Sequence, residues 1–230
     1  MVLGVLIPIA VLGLLIVAGA VLFNRGREGL DLAPRNLLRL YLYIASLAGI
    51  IVLVIGLSGI LNAGFATAFG NGFVYGESPR FAAPCPPGAA GCQLYLQLDP
   101  VEQQRQQLDR RRAEDLIRGG TFAVFGLLFW SAHWAARRGA LALDEGQSGI
   151  RRAYFMLGTV IFGLATIVLL PMGVYQAISN LILPPIENSY RPGAGESLAA
   201  GVVTLPAWLI YLWLVSRDFR GARAIPSTMP

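Results

Sequence analysis

Long uncharged stretches alternate with polar segments along the whole chain, and the uncharged stretches are mostly apolar. Five of them occupy residues 1–24, 40–76, 119–136, 153–186 and 197–216. A helix needs roughly 20 predominantly apolar residues to cross a hydrocarbon core about 30 Å thick, so each stretch predicts one membrane-spanning helix. A sixth uncharged stretch, residues 81–98, is predicted to be a loop, since Pro84, Pro86 and Pro87 interrupt it.

The composition agrees with a membrane protein. Hydrophobic residues make up 55% of the chain, charged residues 13%, and the mean hydropathy is +0.60. A soluble domain carries about 25% charged residues, so this chain has too little polar surface for water. Runs such as residues 50–57 are continuously apolar and do not alternate as barrel strands would. The predicted fold class is therefore an all-α, multi-pass transmembrane helical bundle with five spans.

The charged residues predict how the chain is threaded. All 18 basic residues are arginine. The first loop, the third loop and the tail carry eleven arginines against five acidic residues, and the alternate loops carry seven against eight. Because positive charge accumulates inside, we predict the bacterial cytoplasmic membrane with the N-terminus outside and the C-terminus inside. The net charge of +5 is divided between two membrane faces, which argues against nucleic acid as a partner.

The chain divides into an anchor and two helical hairpins. Residues 1–36 form the N-terminal span and an inner loop, 37–138 the first hairpin, 139–220 the second, and 221–230 a cytoplasmic tail. The sequence R-L-Y-L-Y-I at 39–44 aligns with R-A-Y-F-M-L at 152–157, which predicts a parallel tandem repeat. The first span has no positive segment before it, unlike a signal peptide, although the small residues 18–20 leave cleavage open.

Tryptophans end both hairpins, close to arginines. Aromatic rings of this kind sit where a membrane meets water, so we predict lipid or partner contacts there. The residues concerned are Trp130, Trp134, Trp208 and Trp213.

R-L-Y-L-Y at 39–43 and F-W-S-A-H-W-A-A-R-R at 129–138 resemble an uncharacterised bacterial integral-membrane domain family. The resemblance covers residues 36–138 well and 150–220 more weakly, and Leu212 stands where the second unit would have its histidine. The resemblance implies paired spans and assigns no activity.

The outside loop, residues 77–118, holds both cysteines. Cys85 and Cys92 flank a Pro/Gly-rich turn, and an oxidising compartment would favour a disulfide between them; two free thiols are the alternative. From Asp99 and Pro100 onward the residues favour a helix that runs into the third span. Its basic cluster, Arg110, Arg111 and Arg112, predicts contact with lipid headgroups or an acidic protein, and a solvated face is the plainer interpretation.

His133 is the one histidine of the chain, and a histidine inside a span is a functional candidate. It lies four residues before Arg137 and between Trp130 and Trp134, a position typical of the interface. Three interpretations stay open: interface packing, ligation of a pigment or haem, and proton or quinone chemistry. The cofactor is accordingly unknown, with a pigment or quinone at His133 as the candidate.

Catalytic and metal-binding motifs are absent from the sequence. It contains no phosphate-binding glycine loop, no His-Glu-x-x-His and no paired nucleophile and base. We therefore predict a non-catalytic structural or accessory subunit of a larger membrane complex, photosynthetic or respiratory, whose partners are lipids and other membrane subunits. A small permease or sensor that acts alone is the alternative.

Overall fold

The structure is a computed structural model that describes residues 34–77, 100–141, 149–183 and 190–223. Five helices account for nearly all of these residues: α1 (Pro34–Phe69), α2 (Asn71–Tyr75), α3 (Pro100–Leu141), α4 (Gly149–Ile182) and α5 (Gly195–Arg223). Two short strands, β1 (Gly76–Glu77) and β2 (Arg191–Pro192), pair antiparallel. The predicted all-α class is confirmed. The first predicted span and both cysteines lie outside the described residues, so the anchor and the disulfide stay predictions.

Three helices of the described chain are long and apolar enough to cross a membrane. They are Leu37–Phe69, Gly149–Ile182 and Gly195–Arg220, and they correspond to the second, fourth and fifth predicted spans. The third predicted span lies within α3, which is not among the three. Its apolar residues are interrupted by Ser131, His133 and two tryptophans. The total of five spans stays a prediction.

The helix predicted to begin near residue 100 is confirmed. Pro100–Leu141 is one continuous helix of 42 residues, about 63 Å long at 1.5 Å per residue, so it is longer than a membrane is thick. Pro100 opens it, where the missing N–H costs no hydrogen bond. α1 instead ends at Phe69, before the uncharged stretch does, because Gly70 adopts a φ of +90° that suits glycine.

The helices pack in pairs. α1 lies mainly against α3, α4 lies mainly against α5, and α1 joins the two pairs through α5. The division of the sequence into two helical hairpins predicts this pairing. The tandem repeat, in which the second hairpin repeats the first, stays a prediction. The core between the pairs is a cluster of aromatic and aliphatic side chains on α1, α4 and α5: Tyr43, Leu47, Val54, Tyr154, Leu157, Ile161, Phe162 and Tyr211.

Candidate functional site

α1 and α3 run antiparallel with their backbones in close contact, and this contact fixes the relative positions of Asn62, Asp115 and His133. A Cβ atom on Gly49 would lie 2.8 Å from the backbone nitrogen of Trp130, and one on Gly119 would lie 2.8 Å from that of Ile60. Between these points, Gly56 is pressed against the backbone of Ala123. Such small residues let helices approach closely in a membrane, where van der Waals contact drives association. The contact places polar groups together at both ends of the pair.

The first polar cluster surrounds Asp115, and we call this part of the molecule the Asp115 end. Asn62 of α1 donates a hydrogen bond from Nδ2 to Oδ2 of Asp115 on α3, at 2.7 Å. Arg118, one turn further along α3, binds Oδ1 of the same carboxylate at 2.7 Å. Asp115 is 8% exposed and Asn62 is 6% exposed. Both carboxylate oxygens are therefore satisfied, as a buried charge requires.

α2 contributes Tyr75 to the Asp115 end. Burial raises the pKa of the Tyr75 phenol above its ordinary value of 10.0, and the negative charge of Asp115 adds to the rise. Each effect favours the neutral phenol, because a phenolate would lose hydration and meet a like charge. Tyr75 in the folded chain is therefore neutral at neutral pH and loses its proton only at a higher pH than an exposed tyrosine does.

The strand pair anchors α2 to the second helical pair. Gly76 pairs with Pro192 and has a φ of +79°, which glycine tolerates. The backbone nitrogen of Ala194 donates to the carbonyl of Phe73 at 3.0 Å. Gly195, which opens α5, packs on Asn62 so closely that a Cβ there would clash with its Oδ1. All five helices except α4 therefore meet around Asn62 and Asp115.

Arg191 of β2 joins α4 to the same end. Its guanidinium donates to Oδ1 of Asn180 at 2.7 Å and to the backbone carbonyls of Asn180 and Leu183 at the end of α4. A cation at this position binds the unpaired carbonyls and the negative end of the helix dipole. The arrangement explains why the helix can stop beside a polar loop.

The second polar cluster lies at the opposite end of the helices, which we call the arginine end. The Arg137 guanidinium of α3 stacks on Tyr43, with 4.6 Å from its Cζ to the ring centroid, and more distantly on Tyr154. The hydroxyls of Tyr154 and Tyr211 are 2.7 Å apart and buried. Contacts of a cation with aromatic rings strengthen when water is excluded. These rings link α3, α1, α4 and α5.

Two ion pairs close the arginine end. Asp218 of α5 accepts from Arg151 at 2.8 Å and lies 3.3 Å from Arg152. Both arginines belong to the first turn of α4, so the contact joins the start of one helix to the end of the other. The Asp218 side chain is 12% exposed. This carboxylate is therefore better shielded from water than the carboxylate of an exposed ion pair, which contributes little to stability.

His133 lies at the surface of the α1–α3 contact, near the arginine end. Its Nδ1 is 2.7 Å from the carbonyl oxygen of Phe129, one turn earlier on α3. Its Nε2 is 3.4 Å from the hydroxyl of Tyr41 on α1. The Phe129 ring stacks on the imidazole at a centroid distance of 5.2 Å. Since a carbonyl oxygen can only accept, the hydrogen of the neutral ring lies on Nδ1.

The other residues predicted to contact lipid or a partner lie in different parts of the structure. Arg110 is exposed and pairs with Glu114 of the same helix at 3.0 Å, an arrangement that stabilises a solvated helix slightly. Trp208 covers Gly163 inside the α4–α5 pair, whereas Trp213 is 56% exposed. Trp134 stacks on Trp130 and lies under the Arg138 guanidinium. The structure does not gather these residues, with Arg111 and Arg112, into one site.

Asn62, Asp115 and Asp218 are not among the site residues predicted from the sequence. One signal could have exposed the first of them: the second uncharged stretch is almost twice as long as one span, so its far end had to leave the apolar core. A buried asparagine at that position needs a hydrogen-bond partner. Asp115, however, is separated from it by 53 residues, and only the antiparallel register of α1 and α3 brings the two together.

Comparison of the chain with protein-family models, with curated proteins and with solved structures finds no match. The chemistry of the described side chains therefore carries the functional argument. Both end clusters connect helices to one another, and inside the α4–α5 pair the Thr166 hydroxyl lies 2.7 Å from the carbonyl oxygen of Phe162 and 3.1 Å from the Thr204 hydroxyl. Such bonds hold a bundle together.

Proposed function

We propose that this protein is a non-catalytic accessory subunit of a larger membrane complex, photosynthetic or respiratory, and that α3 packs against neighbouring subunits. The observation that supports the proposal is the position of α3. It lies alongside α1 from Tyr41 and His133 at one end to Asn62 and Asp115 at the other. A helix beside a membrane-spanning helix lies at the same depth.

α3 is nevertheless less apolar than the three candidate spans. Polar residues within a span almost always face the interior of a bundle, so interrupted hydrophobicity favours protein neighbours for α3. Among the described helices, α3 packs chiefly on α1 and makes a smaller contact with α2. Val124 and Leu128 are more than half exposed and lie on the side of α3 away from the α1-facing residues Ala123 and Gly126. A further subunit would cover this side.

In this proposal the chain crosses the bacterial cytoplasmic membrane five times, through residues 1–24, α1, α3, α4 and α5. The N-terminus lies outside and the C-terminus inside, as the distribution of arginine favours. The Asp115 end then faces outward, and the arginine end faces the cytoplasm.

Purification from the native membrane in a mild detergent tests the accessory role. We expect the tagged chain to bring down other membrane subunits in a fixed ratio, and Val124→Ser with Leu128→Ser to release them. The matched control is Val174→Ser with Ile178→Ser, an exposed pair at the same spacing on α4. A monomeric chain that moves a solute into liposomes would instead support the permease.

A further inference from the structure

We propose that His133 is an axial ligand, through Nε2, for the metal of a planar tetrapyrrole bound at the edge of the α1–α3 contact. This inference rests on the proposed accessory role and adds a prosthetic group to it. The chemical class comprises haem iron and the magnesium of a chlorin, since both metals accept one imidazole nitrogen.

The hydrogen bond at Nδ1 prepares the ring for this role. Nδ1–H donates to the carbonyl of Phe129 at 2.7 Å, which fixes the tautomer and the orientation of the imidazole. Metal-binding histidines commonly donate their second nitrogen to a backbone carbonyl in this way, because the bond raises the basicity of the ligand. The lone pair of Nε2 then points away from its own helix.

The present partner of Nε2 is held weakly. Tyr41 donates its hydroxyl hydrogen across 3.4 Å, longer than a well-formed O–H···N bond. Tyr41 is 58% exposed, and its ring meets the imidazole edge-on at 5.8 Å. Its hydroxyl can therefore move aside without disturbing buried packing and leave Nε2 to a metal.

An apolar surface adjoins the nitrogen. Phe129 precedes His133 by four residues, so the two side chains follow one side of α3. Phe129 is 55% exposed, and its ring is stacked on the imidazole. A tetrapyrrole is flat and mostly apolar, and ligand sites of this kind combine apolar walls with few polar groups.

The same hydrogen bond argues against a quinone held by His133 itself. A quinone carbonyl needs a donor, and the hydrogen of the neutral His133 ring is already given to Phe129, so such a ligand would depend on the Tyr41 hydroxyl. A quinol hydroxyl could donate to Nε2, and it would also use the Tyr41 hydroxyl. The two ligands therefore predict opposite effects of removing that hydroxyl.

The test uses the purified full chain in detergent, titrated with iron protoporphyrin and, separately, with a magnesium chlorin. We expect one of the two compounds to bind saturably at one equivalent with an absorption shift. The identity of the compound that binds distinguishes a haem site from a chlorin site. His133→Leu should weaken binding by more than about tenfold, the lower limit for losing even a ligand's supporting partner. Tyr41→Phe should leave binding equal or tighter, with Tyr175→Phe, a distant exposed tyrosine, as its control.

Each variant must first show the helix content and elution of the parent chain. Binding of neither compound, or binding unchanged by His133→Leu, would overturn the proposal. Loss of binding in Tyr41→Phe would overturn it as well, in favour of a ligand that needs the hydroxyl. Because the titration uses no partner subunit, its failure leaves the accessory role standing, and a failed co-purification leaves the titration valid.

Discussion

The two helical pairs differ in the contacts that close them near the arginine end. In the α1–α3 pair, glycines bring backbone against backbone along the whole contact, as at Gly56 and Ala123. In the α4–α5 pair, backbones meet in this way only toward the Asp115 end, at Gly173 and Gly201, whereas toward the arginine end Tyr211 lies over Gly158 and Trp208 lies over Gly163. In its most apolar window, α4 is 56% buried, against 28% for α1 and for α5. α4 is thus the most buried of the three candidate spans, α1 is the helix that contacts all the others, and α3 lies at the edge.

This difference separates two tasks. Toward the arginine end, the rings between α4 and α5 fill volume and can shift rotamer, so that half of the pair tolerates small changes in spacing. The backbone contact between α1 and α3 cannot adjust, and it holds the polar groups at both ends in register. An edge helix positioned rigidly and left open on one side is suited to present a surface to another subunit.

Alanine at Gly56 is expected to have the largest effect, because the new Cβ would overlap the Ala123 backbone. We expect a loss of about 2–3 kcal/mol in stability, in the range for overpacked sites. Alanine at Gly163 would lie 2.8 Å from Nε1 of Trp208, a side chain that can rotate, and should cost less. Gly64→Ala, in open space on the same helix as Gly56, is the control and should be neutral or slightly stabilising. Thermal unfolding in detergent measures all three, and equal losses at Gly56 and Gly163 would remove the distinction.

Asn62→Leu should destabilise the fold by about 1–3 kcal/mol, since it leaves one oxygen of the buried Asp115 carboxylate without its donor. A double-mutant cycle with Asp115→Leu should show coupling between the two sites. Glu114→Leu, one residue away but exposed, should change stability little. Additive effects of Asn62 and Asp115 would mean that the two side chains do not interact.

Tyr154→Phe and Tyr211→Phe should each cost about 1 kcal/mol, because each removes one half of a buried hydroxyl pair. The double variant should lose less than the sum, since the second removal relieves an unsatisfied group. Tyr175→Phe is the exposed control. A sum of independent losses would contradict the pairing of the two hydroxyls.

A smaller effect is expected at alkaline pH. The raised pKa of Tyr75 means that the folded chain holds this proton more tightly than the unfolded chain does. The resulting stabilisation is complete below the unfolded pKa near 10 and is lost as the pH rises through the folded value. Between about pH 10 and 11, Tyr75→Phe should show the same phenolate absorbance as the parent chain, because the folded parent keeps the Tyr75 proton in that range. Loss of one tyrosine's absorbance in Tyr75→Phe would show that the phenol is accessible to water.

The positions of most helices could be predicted from where the uncharged stretches begin and end. The uncharged stretches predicted α1, α4 and α5 correctly. An uncharged segment suits lipid, and a segment in lipid forms a helix because its backbone groups must be hydrogen-bonded internally. The end of α1 was set too late, since Gly70 stops the helix by its φ and not by its polarity. α3 was predicted as one helix from its composition, and that prediction is confirmed.

The polar contacts could not be predicted in the same way. Asn62 with Asp115 and Arg151 with Asp218 depend on which helices are neighbours and in what register, and neither follows from local pattern. His133 was recognised by its rarity alone, and its tautomer became definable only with the Phe129 carbonyl in place.

Photocrosslinking from position 124 in native membranes tests the central claim most directly. A photoreactive residue there should yield a product whose mass includes another membrane protein, because Val124 lies on the open side of α3. The same residue at Ile167, an exposed position of α4, serves as the comparison and should yield mainly lipid adducts. Lipid adducts alone at position 124, or a product with no more than the chain's own mass, would contradict the account.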